Sequence, residues 1–227
     1  MAPASRRLAR GSLPPGATIA GADWLLATIR ARYPKLAAAL GDIAFEAMLG
    51  NFMTHAPAAR QLLMTSETEL PRYLAESCEY PVWYAELAWL DRAHVHVVHA
   101  PRADRLTRRT LTMESRLTLI PAHAIVTLTT TVDELWSTLD DAAEMNGRAR
   151  ARMPRALDWP RMVLIWRTED ALLAERTVDH DETAALRAAA RGTSLAELSA
   201  GLRGYNPHAR ALDVVLRWID DGVLVGR

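Results

Sequence analysis

Residues 116–132 read RLTLIPAHAIVTLTTTV, and the run Ile125-Val126-Thr127-Leu128-Thr129-Thr130-Thr131-Val132 within it decides the fold class. Successive side chains of a strand point to opposite faces. Val126, Leu128, Thr130 and Val132 therefore share one side, and Ile125, Thr127, Thr129 and Thr131 the other. Such alternation of β-branched residues predicts a half-buried strand over 125–132 with a threonine-rich outer face. Residues 116–120 predict another strand, separated from the first by Pro121.

Before this stretch the grammar is helical. Pro101 and the arginines up to Arg109 read as a linker. Upstream of it, Leu87, Leu90, Val95 and Val98 recur on a helix opened by Pro81. Short helices are expected around Leu62 and over 70–74. Leu36, Leu40, Ile43, Ala44, Ala47 and Met48 form a longer helical run that Pro57 stops. Asp23 is placed to cap a helix through Trp24, Leu25, Leu26 and Ile29 that ends near Tyr33-Pro34. Residues 1–22, with Pro14-Pro15-Gly16 and three arginines, read as a disordered lead-in.

After it the strands continue and then give way. Residues 162–166 and 172–178 predict two more strands, while the polar segment 140–160 reads as a long exposed loop or a frayed helix. A helix over 181–191 ends at Gly192, and Thr193 or Ser194 caps the next over 195–202. A third spans 208–220, and Val223-Leu224-Val225 makes a final short strand. The expected architecture is α+β. An N-terminal all-helical domain covers residues 23–103, and a C-terminal α/β module with winged-helix-like helices covers 110–227.

Half of the 227 residues are apolar and 24% are charged, a globular composition. The 27 basic and 27 acidic residues cancel, which gives no electrostatic reason to bind nucleic acid or anionic lipid. No run of 18 apolar residues predicts a membrane span. The first residues lack the apolar core and cleavage site of a secretory signal, so the expected compartment is the cytoplasm.

Few residues offer chemistry. Cys78 is the only cysteine and sits in Glu76-Ser77-Cys78-Glu79, an acidic setting that does not favour a nucleophile. His96 and His99 share a helix face while His94 points elsewhere, and no third ligand completes a metal spacing with them. No metal or other cofactor is expected. Glycine-rich phosphate loops and a Gly-x-Ser-x-Gly elbow are absent from the sequence. Asp140-Asp141 and Asp220-Asp221 are adjacent pairs, which do not face each other on a helix. No catalytic set emerges, and the chain reads as a binding protein rather than an enzyme. A DNA-reading use of the last helices is the alternative, with Arg203, Arg210 and Arg217 as candidates. Residues 167–227 nevertheless hold eight arginines against ten acids, which favours protein contacts.

An ordered series of short motifs carries a resemblance. Tyr33-Pro34, Leu40-Gly41, Phe45, Pro57, the segment 70–74, Tyr80-Pro81 and Leu87-Ala88-x-Leu90-Asp91 lie in the first half. Pro121, Val132, Trp136, Leu164-Ile165-Trp166-Arg167 and Gly192-Thr193-Ser194-Leu195 follow in the second. The series resembles the HvfC/BufC-type peptide-modification chaperone family, whose domain also carries a DNA-binding name. The family supplies partner subunits to multinuclear non-haem iron-dependent oxidases. The likeness runs over about residues 24–225, with Asp91 standing where the family usually has glutamate, and Thr65 and Ser66 where it has a glycine. It implies a non-catalytic protein whose partners are such an oxidase and a ribosomally made precursor peptide. The precursor's leader would be recruited for modification, in some members as an added strand. On that view Thr127, Thr129 and Thr131 are the expected peptide contacts, since a sheet edge offers backbone groups to a partner strand.

Overall fold

The computed structural model describes residues 19–55, 69–112, 114–144, 153–201 and 206–226. Among these residues it has eight helices and a three-stranded antiparallel sheet, an α+β fold with a helical N-terminal region. The lead-in up to residue 18, the helix expected around Leu62, Thr65, Ser66 and Arg203 lie outside the described residues.

Helix α1 (Ile19–Arg32) begins before Asp23, which is therefore inside the helix and not its cap. The chain breaks at Tyr33 because the residue before a proline is disfavoured in helical geometry. Tyr33 itself is buried. Helix α2 (Pro34–His55) then starts with two N–H groups that its own sequence does not cap. The carboxylate of Asp91 accepts both, from Lys35 N at 3.2 Å and Leu36 N at 2.9 Å. A side chain from a distant helix thus does the work of an N-cap. Asp91 is 1% exposed, and this burial pushes its pKa from 3.8 up to about 7, against the downward pull of the two N–H donors.

Helix α2 bends at Gly41, where φ is 72° and ψ 167°, a geometry that costs a side-chain-bearing residue and not glycine. Beyond the bend Phe45, Met48, Leu49 and Phe52 are buried in the core. By length and composition α2 is the one helix among the described residues apolar enough to cross a membrane, but the bend interrupts it; Leu36, Phe45, Met48, Leu49 and Phe52 pack inside the protein, while Ile43, expected in the same apolar run, is 88% exposed.

Helices α3 (Glu69–Glu76) and α4 (Val82–His99) complete the helical region. Pro81 precedes α4, as expected of a residue that cannot continue a helix backwards but fits its start. One face of α4 lies on the sheet, and α2 and α3 pack on its other sides. Its buried face includes Trp83, Glu86, Leu87, Leu90, Asp91 and Val97. Val98, expected inside, is 45% exposed, and Val95 is only half-buried.

The sheet has the order β2–β3–β4, with β2 (His123–Thr130), β3 (Ala156–Arg167) and β4 (Leu173–Val178) all antiparallel to their neighbours. The central strand serves two cores. Val163 and Ile165 join Val126, Leu128 and the N-terminal helices on one face. Leu164 and Trp166 join the C-terminal helices on the other. Burying one such side chain contributes about 1.5–3 kcal/mol, so each face is a substantial adhesive.

Helices α6 (His180–Ala190), α7 (Leu195–Gly201) and α8 (Pro207–Asp221) cover that second face. Asp179 caps α6 through Glu182 N. A reciprocal capping box joins Ser194 and Glu197 at the start of α7, with bonds of 2.8 and 3.1 Å. Ala211, Val215 and Trp218 recur at helical spacing as the buried stripe of α8. Two minor pairings tie the region together. Strand β1 (Arg116–Leu117) pairs with β5 (Thr193–Ser194), and single bridges join Leu119 to Leu224 and Arg105 to Val225. The strand expected over 116–120 is thus shorter, and the terminal strand is reduced to bridges.

Two other expectations change. Residues 140–160, expected as a loop or a frayed helix, are helical over 140–144, where α5 (Val132–Glu144) ends, and already strand from Ala156, where β3 begins. The strand expected over 125–132 ends at Thr130, because Val132 opens α5 and Thr131 makes the turn between them.

Candidate peptide-binding site

Backbone direction along β2 follows from its register. Arg167 N donates to Ala122 O at 3.1 Å, and His123 lies opposite Trp166. In an antiparallel ladder hydrogen-bonded pairs alternate. Ala124, Val126 and Leu128 therefore turn their backbone groups to β3, while Ile125 and Thr127 turn theirs to the open side. Among the described residues no backbone or side-chain partner meets those outward groups.

The open edge is short. At its start His123 N is taken by Pro121 O at 3.0 Å. At its end lies a large bulge. Leu128 pairs with Arg161 and Thr130 with Ala156, so four residues of β3 stand against Thr129 alone. The bulge reverses the alternation, and Thr129 and Thr130 both present their N–H groups on the outer side. Glu86 of α4 receives the pair. Its two oxygens accept from Thr129 N and Oγ1 (Oγ1 at 2.6 Å) and from Thr130 N and Oγ1 (N at 3.2 Å). Glu86 is 5% exposed, so its charge is compensated by these four donors. Pro160 sits inside the bulge, where no ladder hydrogen bond is required of it, and Trp159 beside it is 83% exposed.

The three threonines expected to contact a peptide therefore have different roles. Thr127 is exposed and faces the open edge. Thr129 is exposed, but its N–H and hydroxyl are held by Glu86. Thr131 lies outside the strand, and its hydroxyl accepts from Arg155 N at 3.2 Å.

The other outer strand is β4. Thr168 N donates to Leu172 O at 2.8 Å, which fixes the ladder phase. Ala174, Arg176 and Val178 turn to β3, and Leu173, Glu175 and Thr177 turn outward. Ala174 and Val178 pack on the second core, and Arg176 binds Glu182 there. Leu173, Glu175 and Thr177 are exposed on the opposite face. The hairpin before β4 holds Ala171 at φ 64°, a left-handed position that usually carries glycine.

Beside β4 a cleft of about 540 Å³ opens between α2, α4, α5 and the strand. Lys35, Val95, Trp136, Leu173 and Ala174 are among its lining residues. His94 stacks on Trp136 with ring centroids 4.3 Å apart and 19° between planes. Its Nδ1 is 2.8 Å from Leu90 O, so Nδ1 carries the hydrogen in the neutral ring, and Nε2 is 3.6 Å from Glu175. Lys35 donates to Trp136 O at 3.2 Å and lies 5.0 Å from the Trp136 ring. A second cleft, of about 440 Å³, is lined by Arg102, Arg105 and Arg167, with Asp104 and Glu169 beside them. The guanidiniums of Arg105 and Arg167 bind the backbone carbonyls of Gly222, Arg167, Val98 and Ala100, which pins the linker to both cores.

The remaining polar clusters hold structure together. Arg176 binds Glu182 at 2.5 and 3.0 Å and Asp221 at 2.9 and 3.0 Å, and Trp218 Nε1 donates to Glu182 at 2.9 Å. Arg210 and Arg217, the described candidates for phosphate contact, pair with Asp181 at 2.9 Å and Glu182 at 3.6 Å. His96 and His99 are exposed, and Cys78 is an exposed free thiol. Among the described residues no group of three His, Cys, Asp or Glu side chains could hold a metal ion.

Sequence reasoning missed the β4 edge and the roles of Glu86 and Asp91, which it weighed only as metal partners for the histidines or, for Asp91, as a motif position. A faint signal existed for the two acids, since both lie on the same helical face as Leu87 and Leu90. No family model matches the chain, and no curated protein matches it.

Proposed function

We propose that this protein is a non-catalytic partner of a multinuclear non-haem iron-dependent oxidase that recruits the leader of a ribosomally synthesised precursor peptide in the cytoplasm. The observation that carries the reading is a sheet whose central strand is covered on both faces while its outer strands present open edges. Backbone N–H and C=O groups on an open edge accept an extended peptide as one more strand, and neighbouring side chains add selectivity. The buried acids support it as well. Glu86 closes a bulge, Asp91 caps a helix and Glu182 holds an arginine, so these carboxylates have structural partners.

Co-expression with a multinuclear non-haem iron oxidase and its precursor peptide tests the reading. The expected result is copurification of the three, with precursor modification that falls when this protein is left out. Full modification by the oxidase alone defeats it. The competing reading, a transcription regulator, requires Arg210 and Arg217 to leave their carboxylates for phosphates. It predicts salt-sensitive duplex binding, which a mobility shift at low salt would reveal.

A further inference from the structure

We infer that the cleft beside the linker is a binding site for a small carboxylate, held by Arg102, Arg105 and Arg167. The inference goes beyond the peptide-recruiting reading and does not depend on it. The cleft has a volume of about 440 Å³, within the range of small-molecule sites, and those arginines are among its lining residues. Arg102 and Arg105 come from the linker, and Arg167 from the end of β3.

The charge on these arginines decides the ligand class. Elsewhere in the protein half-buried arginines meet carboxylates: Arg161 pairs with Asp133 at 2.6 Å, and Arg176 with Glu182 at 2.5 Å and Asp221 at 2.9 Å. Arg105 and Arg167 are half-buried too, yet their guanidiniums bind the backbone carbonyls of Gly222, Arg167, Val98 and Ala100. Among the described residues no carboxylate forms an ion pair with Arg102, Arg105 or Arg167. Val98 and Ala100 lie at the C-terminal end of α4, and Gly222 follows α8. A helix end carries only about half a negative charge, so these carbonyls compensate the two cations in part. The strain is visible at Arg105, whose pKa is lowered by burial and further by Arg167, with Glu169 opposing. A guanidinium also has more N–H donors than these carbonyls take up, and its fork matches a carboxylate.

Asp104 and Glu169 line the same cleft, exposed and without an ion pair to the arginines. They leave the lining one net positive charge, which a single carboxylate neutralises. Phosphate, largely a dianion above neutral pH, would overshoot it and face both acids.

Titration of the full chain with acetate at about pH 8 and constant ionic strength, with chloride as the balancing salt and followed by NMR, tests the inference. The expected result is a saturable shift of the backbone and side-chain N–H signals of Arg105 and Arg167. Arg102 is exposed, so R102A removes charge and leaves the carbonyl contacts of Arg105 and Arg167 in place. Binding should weaken roughly two- to fivefold in R102A and tighten by a similar factor in the double variant D104N/E169Q. The second variant gains binding, so it keeps the test decisive if R102A folds poorly. Three results overturn the inference. The shifts stay linear in acetate, as helix-capping arginines alone would give; they saturate but ignore both variants; or phosphate binds more tightly than acetate at equal ionic strength.

Discussion

Replacing Glu86 with glutamine keeps the shape of the side chain and removes its charge. In the wild type two oxygens accept from two backbone N–H groups and two hydroxyls. Glutamine offers one oxygen, and its NH2 group must face one pair of donors. A threonine hydroxyl can rotate and accept from that amide, but a backbone N–H cannot. One N–H is thus orphaned, at about 1–3 kcal/mol if buried, and two bonds lose their charge assistance. Relief from burying a carboxylate offsets part of this. The net expectation is a loss of about 1–2 kcal/mol, because the N–H left over is one that water can reach. For a chain of this size that lowers Tm by roughly 3–6 °C. The N–H left unpaired should be that of Thr129, because Thr129 is exposed and water can replace the acceptor, whereas Thr130 is 8% exposed. Thermal melts with amide hydrogen exchange check both parts: E86Q should melt early, with Thr129 exchanging faster and Thr130 still protected. A variant that melts with the wild type and keeps both amides protected would show that the carboxylate does not hold the bulge.

Three further outcomes follow from the packing. Asp91 has its pKa raised from 3.8 to about 7, so the folded state binds the proton more tightly across that interval. Its stabilising contribution is fully present below about pH 4 and lost as pH rises through about 7; relative to D91N, the wild type should weaken by a few kcal/mol between those limits in urea titrations. Replacing Ala171 with glycine relieves a left-handed residue, so A171G should raise stability by about 0.5–1 kcal/mol in the same assay, and a loss would contradict the turn geometry. Changing Glu182 to alanine deprives Arg176 and Trp218 of a shared acceptor; E182A should cost about 3 kcal/mol, and a neutral result would show that Asp221 alone suffices.

The elements legible in the sequence are those with a strong local period. The alternation at 125–130, the helix expected over 208–220 and the break at Tyr33-Pro34 all reappear in the structure. What escaped depends on partners far along the chain. Asp91 caps a helix 55 residues away, and Glu86 reaches 44 residues to a bulge. The strand ends at Thr130 because Val132 opens α5, so the period over 125–132 runs on into a Thr131 that lies in the turn. Pro160 marked the irregularity, but periodicity alone gave no way to place four residues of β3 opposite one of β2. The candidate edge on β4 was hidden for a different reason. Whether a strand is central or outermost is a property of the sheet order, which no single strand's sequence carries.

The central strand has a consequence for how the molecule can be divided. Val163 and Ile165 belong to one core and Leu164 and Trp166 to the other, so β3 is a party wall with a tenant on each side. A cut in the linker near residue 105 would leave the helical piece without the wall that seals it, and the other piece with an apolar face bare to water. The halves should therefore refold poorly when expressed apart and recover when mixed, behaving as complementary fragments rather than as portable modules.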